Sequence, residues 1–223
     1  MLIYNSQQAI TMYLRPTVKN VGLKISGGAD SAIVAYMLAK YIIEERPDVT
    51  IIPITINFNG RAYQEKFSKK VIAFIENEFD IKFGEHKIGF CPSVAAFNDY
   101  QKQFMDNIVD NKEIDALYYG VTKNPSSDVL STFPDSKKIG PKDDRTPLPN
   151  NRKRSTMDPA LWCFTPLINI DKQGVRELYE YFGLIDTLFP LTRSCEAWTT
   201  DFSKHCEECW WCHERLWGFG RYE

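Results

Sequence analysis

Eight residues, Lys24-Ile25-Ser26-Gly27-Gly28-Ala29-Asp30-Ser31, stand between an alternating apolar run and an amphipathic one. Val21, Leu23 and Ile25 have the two-residue period of a short buried strand, while Ala32, Ile33, Ala35, Tyr36, Leu38, Ala39 and Ile42 recur at helical spacing. The eight residues therefore join a strand to a helix. Gly27 and Gly28 permit positive φ and let a bulky anion approach the backbone, and Ser26 and Ser31 add hydroxyl donors. Unsatisfied N–H groups at the helix N-terminus face the same anion. Neither GxxxxGKS/T nor GxGxxG is present, so the standard mononucleotide and dinucleotide loops do not apply. The bland alternative is a Ser/Gly turn capped by Asp30 or Ser31.

The strand-to-helix alternation then repeats. Thr50 to Asn57 is rich in β-branched residues and reads as a second strand; Pro53 must sit at its beginning, at a bulge, or where no donor is needed. Ala62 to Phe79 places Phe67, Val71, Phe74, Ile75 and Phe79 on one helical stripe. Ile81 to Phe90 is a third strand, Val94 to Ile108 a helix, and Ile114 to Val121 a fourth strand ending near Gly120. This order predicts an α/β fold with an open, mainly parallel sheet and helices on both faces. Ligands of such sheets lie beyond the carboxyl ends of the strands, where Gly120 offers close approach. Residues 1–20 read as a short helix ending before Pro16.

The net charge of −2, from 27 Lys and Arg against 29 Asp and Glu, gives no global attraction to nucleic acid or anionic membrane. Met1 to Arg15 lacks an apolar core of signal length and no run of 18 apolar residues occurs, so the expectation is a cytoplasmic protein with no membrane partner. Lys123 to Pro159 contains six prolines and little periodicity, which predicts a long loop over about 123–160. Its part from Ser136 to Arg154 holds seven Lys and Arg against two Asp. That excess suits either an ordinary solvated loop or a lid whose cations neutralise phosphates on closure. Asp171 is placed to cap a helix carrying Val175, Leu178, Tyr179 and Phe182, which Gly183 ends.

Four of the six cysteines crowd into the last 29 residues. Cys195, Cys206, Cys209 and Cys212 have the spacing C-x10-CxxCxxC, and four thiolates so arranged surround Zn²⁺ tetrahedrally at about 2.3 Å each. An iron–sulfur cluster uses the same spacing, and reactive or disulfide-bonded thiols are the plainer alternative. Cys91 and Cys163 stand apart and read as buried small apolar residues. Trp210, Trp211, Leu216, Trp217 and Phe219 form a last helix packed on the core or on a second subunit, the latter making a homodimer. The expected organisation is one nucleotide-binding domain over 1–183 and a small C-terminal zinc-binding subdomain over 184–223.

SGGADS resembles the signature loop of the PP-loop ATP pyrophosphatases. That resemblance implies that Ser26, Gly27, Gly28, Asp30 and Ser31 hold ATP, with Asp30 assisting Mg²⁺ and Asp30 and Ser31 serving catalysis. Two further stretches are similar to the 7-cyano-7-deazaguanine synthase family. One is Phe133-Pro134-Asp135-Ser136 following Gly120-Val121-Thr122. The other runs from Thr165-Pro166-Leu167 through Ser194-Cys195 and Cys206-x2-Cys209-x2-Cys212 to Arg215. The resemblance implies ATP-dependent conversion of 7-carboxy-7-deazaguanine to the nitrile with ammonia, and Asp135 as a substrate residue. The family's mid-chain Gly-Arg-Asn segment has no counterpart here, and its Tyr-Gly-Gln turn is reduced to Phe58-Asn59-Gly60-Arg61. Family chemistry carries over better than family substrate. Formation of an amide only, joining of a deazapurine to an amine of a protein acceptor, and tRNA modification remain alternatives.

Overall fold

The computed structural model describes residues 1–58, 63–93, 95–134, 152–154, 161–195 and 203–223. In chain order these form β1 (Leu2–Tyr4), β2 (Ala9–Thr11), β3 (Asn20–Lys24), α1 (Ala29–Glu45), β4 (Thr50–Phe58), α2 (Tyr63–Phe79), β5 (Lys87–Cys91) and α3 (Phe97–Asp110). There follow β6 (Ala116–Tyr119), α4 (Ser127–Ser131), β7 (Arg152–Arg154), β8 (Trp162–Phe164), α5 (Lys172–Tyr181), a 3-10 turn at Phe189–Leu191 and α6 (Trp210–Phe219). Six strands make one sheet in the order β5-β4-β3-β6-β8-β7. All its pairings are parallel except that of the edge strand β7 with β8.

Neighbouring residues of each strand supply opposite faces, so the sheet has two cores. Val21, Leu23, Ile51, Ala116, Tyr118 and Phe164 pack with α1 and with Val175, Leu178 and Tyr179 of α5. Ile54, Leu117 and Cys163 point the other way, onto Met105, Ile108 and Val109 of α3. Helices therefore cover both faces, as the alternation predicts. Burying each of these aliphatic side chains contributes roughly 1.5–3 kcal/mol. No described helix is long and apolar enough to cross a membrane.

Pro53 lies in the middle of β4, flanked by β3 and β5. The Thr50 N–H donates to Lys19 O and Ile54 O accepts from Ile25 N, so even-numbered residues of β4 bond to β3; Ile51 O accepts from Gly84 N on the other side. The nitrogen of Pro53 thus faces the β5 side, just before that ladder begins at Ile54 and Lys87. The missing donor falls where no partner strand requires it.

Three expectations are corrected. Residues 1–20 hold a hairpin rather than a helix: Ile3 and Ile10 are paired and buried, and Asn5 Oδ1 accepts from Gln7 N in an Asx turn. The third strand is confined to Lys87–Cys91, because the chain from Ile81 to His86 makes one backbone hydrogen bond to β4, from Gly84 N to Ile51 O, and the ladder starts only at Lys87. The stretch 123–160 is not loop throughout; it contains α4, capped by Ser126, and the edge strand β7. Asp135 and the lysines at 137 and 138 lie outside the described residues, as do the side chains of Arg152 and Arg154.

Candidate functional site

β3 delivers the chain to the carboxyl edge of the sheet, and residues 25–28 turn it into α1. Gly27 has φ +78°, and a Cβ there would stand 2.4 Å from Phe67 Cβ. Gly120, at the end of β6, abuts the first turn of α1 so closely that a Cβ would meet the Asp30 carbonyl carbon at 2.6 Å. The hydroxyls tie the loop together: Ser31 Oγ donates to Gly28 O at 3.0 Å, and Ser26 Oγ accepts from Gly28 N at 3.3 Å. Gly28, the N-cap residue of α1, has no side chain to bond the first-turn N–H groups. Those donors and the positive end of a 17-residue helix therefore face the cavity beyond them.

That cavity, of about 190 Å³, is lined by Ser26, Gly28, Asp30, Ser31 and Gly120 together with side chains from distant parts of the chain. Lys172 reaches in from the first turn of α5, and its ammonium contacts both oxygens of the Asp30 carboxylate. Glu214 of α6, only 1% exposed, stands 3.8 Å from the same ammonium. Arg193 is buried; its N–H donates to Gly27 O at 2.9 Å and its guanidinium donates to Lys204 O at 2.7 Å and lies over Tyr63. Two cations, a helix N-terminus and two carboxylates thus converge. Such a set holds a polyphosphate and gives a divalent cation oxygen ligands.

Arg215 fixes the segment that carries Arg193. It is fully buried, donates to Thr192 Oγ1, Ser194 Oγ, Phe189 O and Tyr222 O, and stacks 3.8 Å over the Phe189 ring. Burial lowers it to about 10, so it remains a cation at neutral pH. Tyr179 bonds Ala29 O at 2.8 Å and so pins α5 to the start of α1; burial keeps its phenol protonated.

Cys195, Cys206, Cys209 and Cys212 come together, with all four sulfurs within 4.8 Å of one another, and make a metal-binding group in the C-terminal segment. Cys206 and Cys212 Sγ are 3.9 Å apart. Hydrogen bonds with Cys195 and Cys209, aided by burial, push the Cys212 thiol far above its ordinary value. Four sulfurs this close cannot all be thiolates unless a cation sits among them, so the donor set fits a metal ion. Cys91 and Cys163 are buried in the apolar core clusters, as expected.

All five phosphate-loop residues named from the sequence line or shape one pocket, and all four cysteines form one cluster. Lys172, Arg193 and Glu214 are not found by reading the motif. Their signals are local rules broken: Lys172 places a cation in the first turn of a helix, against its dipole, and Glu214 falls four residues after Trp210 on the buried stripe of α6. Gly218 permits this packing, since a Cβ there would meet Lys172 Cβ at 2.3 Å.

A family profile described as "Queuosine biosynthesis protein QueC" matches residues 103–223. That stretch includes Gly120, Lys172, Arg193, Glu214 and the four cysteines; the phosphate loop lies upstream. Curated proteins give no match. Among solved structures, the U34-tRNA thiolase NcsA from Methanococcus maripaludis with its 4Fe–4S cluster is similar at 18% identity and a TM-score of 0.46. The alignment covers 74% of this chain and 57% of that one, less than two thirds of its length.

Proposed function

The chain belongs to the QueC family of PP-loop ATP-using enzymes, and from that membership we propose that it is an ATP-dependent ligase converting 7-carboxy-7-deazaguanine to 7-cyano-7-deazaguanine with ammonia. The observation that carries the reading is the convergence of Lys172, Arg193 and the α1 N-terminus on the SGGADS loop.

A carboxylate oxygen of the substrate attacks the α-phosphorus of ATP, and the bond to the β-phosphate oxygen breaks. Pyrophosphate leaves into the pocket of Gly27, Gly28, Lys172 and Arg193, whose positive charge offsets the charge developing on it. Ammonia then displaces AMP from the acyl-adenylate and gives the amide. A carboxamide oxygen is a poor leaving group, so a second adenylation follows before AMP departs with that oxygen and the nitrile forms. Asp30 and Glu214 would hold Mg²⁺, which supplies charge neutralisation to the phosphates. Lys172, whose ammonium is shared between these two carboxylates, stands beside the loop where it would bind the phosphates.

Zinc is the proposed occupant of the four-cysteine site. Sulfurs around one tetrahedral ion at about 2.3 Å lie about 3.8 Å apart, close to the 3.9 Å between Cys206 and Cys212. A cubane cluster interposes an iron between each sulfur and the centre and spreads the thiolates wider. Asp135 is assigned to the substrate's guanine-like edge on the family resemblance.

Incubation with ATP, Mg²⁺, ammonia and 7-carboxy-7-deazaguanine tests the reading by mass spectrometry. The expected product is the nitrile with two AMP per turnover; amide accumulating with one AMP supports the truncated reaction, and no product from this acid overturns the substrate assignment.

A further inference from the structure

Behind the phosphate loop, where β4 meets the first turns of α2, aliphatic packing gives way to Thr55, 1% exposed, and the fully buried Ser68. Thr55 Oγ1 lies 2.6 Å from Ile25 O, 3.1 Å from Ser68 Oγ and 2.8 Å from His86 Nε2. A hydroxyl has one proton to give. It goes to Ile25 O, the shortest of the three contacts and a group that can only accept, so His86 donates from Nε2 to Thr55. Ser68 donates its own proton to Glu65 O at 3.1 Å. Burial, aided by the Lys69 ammonium against the pull of Glu65, holds the His86 imidazole below its ordinary value. At neutral pH the ring is therefore uncharged, and its single N–H is this donor. His86 reaches Thr55 from the stretch just before β5, where the chain has not yet joined the β4 ladder.

Ile25 O belongs to the first peptide of the loop, whose N–H is that of Ser26. In a trans peptide the C=O and N–H point in opposite directions. A bond that fixes the oxygen on the β4 side therefore turns the Ser26 N–H away from β4, toward Ser31 Oγ at 3.3 Å. That contact is long, and Gly28 N meets Ser26 Oγ at the same 3.3 Å. Both donors are weakly held and open to a stronger acceptor. A polyphosphate is one. Resting on the adenylating function argued above, we infer that Thr55 and His86 are positioning residues for pyrophosphate: the imidazole N–H fixes the Thr55 hydroxyl, and the hydroxyl fixes the Ile25–Ser26 peptide. The peptide then presents the Ser26 N–H to the departing group. Each bond in such a chain polarises the next in the same sense, which strengthens the last donor. Ser68 supports the loop from the same spot, since its N lies 2.7 Å from where a Cβ on Gly27 would stand. Valine at position 55 has the shape of threonine but leaves Ile25 O without this donor.

Calorimetric titration of the full chain in Mg²⁺ tests the assignment, with inorganic pyrophosphate and AMP as the probes. Thr55→Val should weaken pyrophosphate about tenfold and keep AMP within about twofold, since AMP carries no β- or γ-phosphate for the loop. Thr55→Ser, which keeps the hydroxyl, should restore pyrophosphate affinity. His86→Phe should weaken pyrophosphate about fivefold, and His86→Gln, whose Nε2 donates from the same place, should recover it. Because His86 acts through Thr55, adding His86→Phe to Thr55→Val should cost nothing more. Equal losses for pyrophosphate and AMP overturn the inference, as does a lower Tm with pyrophosphate affinity unchanged, which would make the pair structural. Additive losses in the double variant overturn the part given to His86. The adenylating function is judged separately: if wild-type protein binds pyrophosphate but transfers no AMP to the acid, that function fails and the binding series still decides on Thr55 and His86. Wild-type protein that binds no pyrophosphate contradicts both.

Discussion

The phosphate pocket and the four-cysteine site lie at the same end of the molecule but are held in opposite ways. The pocket is assembled from positions as far apart as Ser26, Gly120, Lys172 and Glu214, and its charges offset one another: Lys172 stands between Asp30 and Glu214. Its shape rests on the loop's own hydroxyl bonds and on the contact between Gly120 and α1. The cysteine site draws on residues 195–212 alone, and its crowded sulfurs repel each other's ionisation. One site holds its geometry with its own residues; the other needs a cation from outside. Since Cys209 caps α6 and Cys212, Glu214 and Arg215 ride on it, the second site also secures parts of the first.

The sharpest way to break that contrast is to remove the metal. Structural zinc contributes about 10–16 kcal/mol in small zinc-dependent peptides. A domain with a large core of its own should lose less, but chelation or Cys212→Ala should still cost several kcal/mol, read as a fall in Tm. The chelated protein should also lose affinity for α,β-methylene-ATP as Arg193 and Glu214 lose support. An unchanged Tm would place the site outside the architecture, and bound iron with visible absorption would replace zinc by a cluster.

Asp30→Ala attacks the other side of the comparison. The fold should survive, because the pocket's shape does not depend on this carboxylate, while AMP formation should fall by about 10³-fold, equal to roughly 4 kcal/mol. A wild-type rate of AMP release would remove Asp30 from the chemistry.

The same contrast explains what could be read from the chain. SGGADS and CxxCxxC are contiguous, so the backbone conformation that makes each site is encoded within a few residues. The α/β order follows from period alone, and Asp171 caps α5 as its position before the apolar stripe predicts. Lys172 and Arg193 are not legible because tertiary packing brings them to the loop from 142 and more residues away. The hairpin at the N-terminus escapes notice because its strands are three residues each, too short to show a period. β7 escapes because Arg152, Lys153 and Arg154 carry no apolar face, and only pairing with β8 makes them a strand.

Lys24 sharpens the comparison with a charge that, unlike Lys172, has no described carboxylate beside it. Burial lowers it from 10.5 to about 8. Below pH 8 it is charged in both folded and unfolded protein, and the fold bears the full burial cost. Between pH 8 and 10.5 the unfolded chain binds more protons, so wild-type stability rises with pH; above 10.5 the cost is gone. Lys24→Met should therefore stabilise the protein at pH 7 by on the order of 3 kcal/mol, with the gain fading through that window in denaturant titrations. A gain that does not change with pH would mean that Lys24 is not held as a buried cation. A smaller effect is expected of Arg193→Met, which fills the place of the stem but removes the guanidinium, a charged donor, from over Tyr63. KM for ATP should rise about thirtyfold, near 2 kcal/mol, with little change in Tm. A fall in Tm without a change in KM would make Arg193 structural.

The central claim is that the SGGADS pocket binds departing pyrophosphate while AMP is passed to a carboxylate. Isotope exchange between labelled pyrophosphate and ATP measures that half-reaction directly, in the absence of ammonia. The account predicts exchange that requires both Mg²⁺ and 7-carboxy-7-deazaguanine and is abolished in Asp30→Ala. ATP consumed as ADP and phosphate, with no exchange when the acid is added, would contradict it.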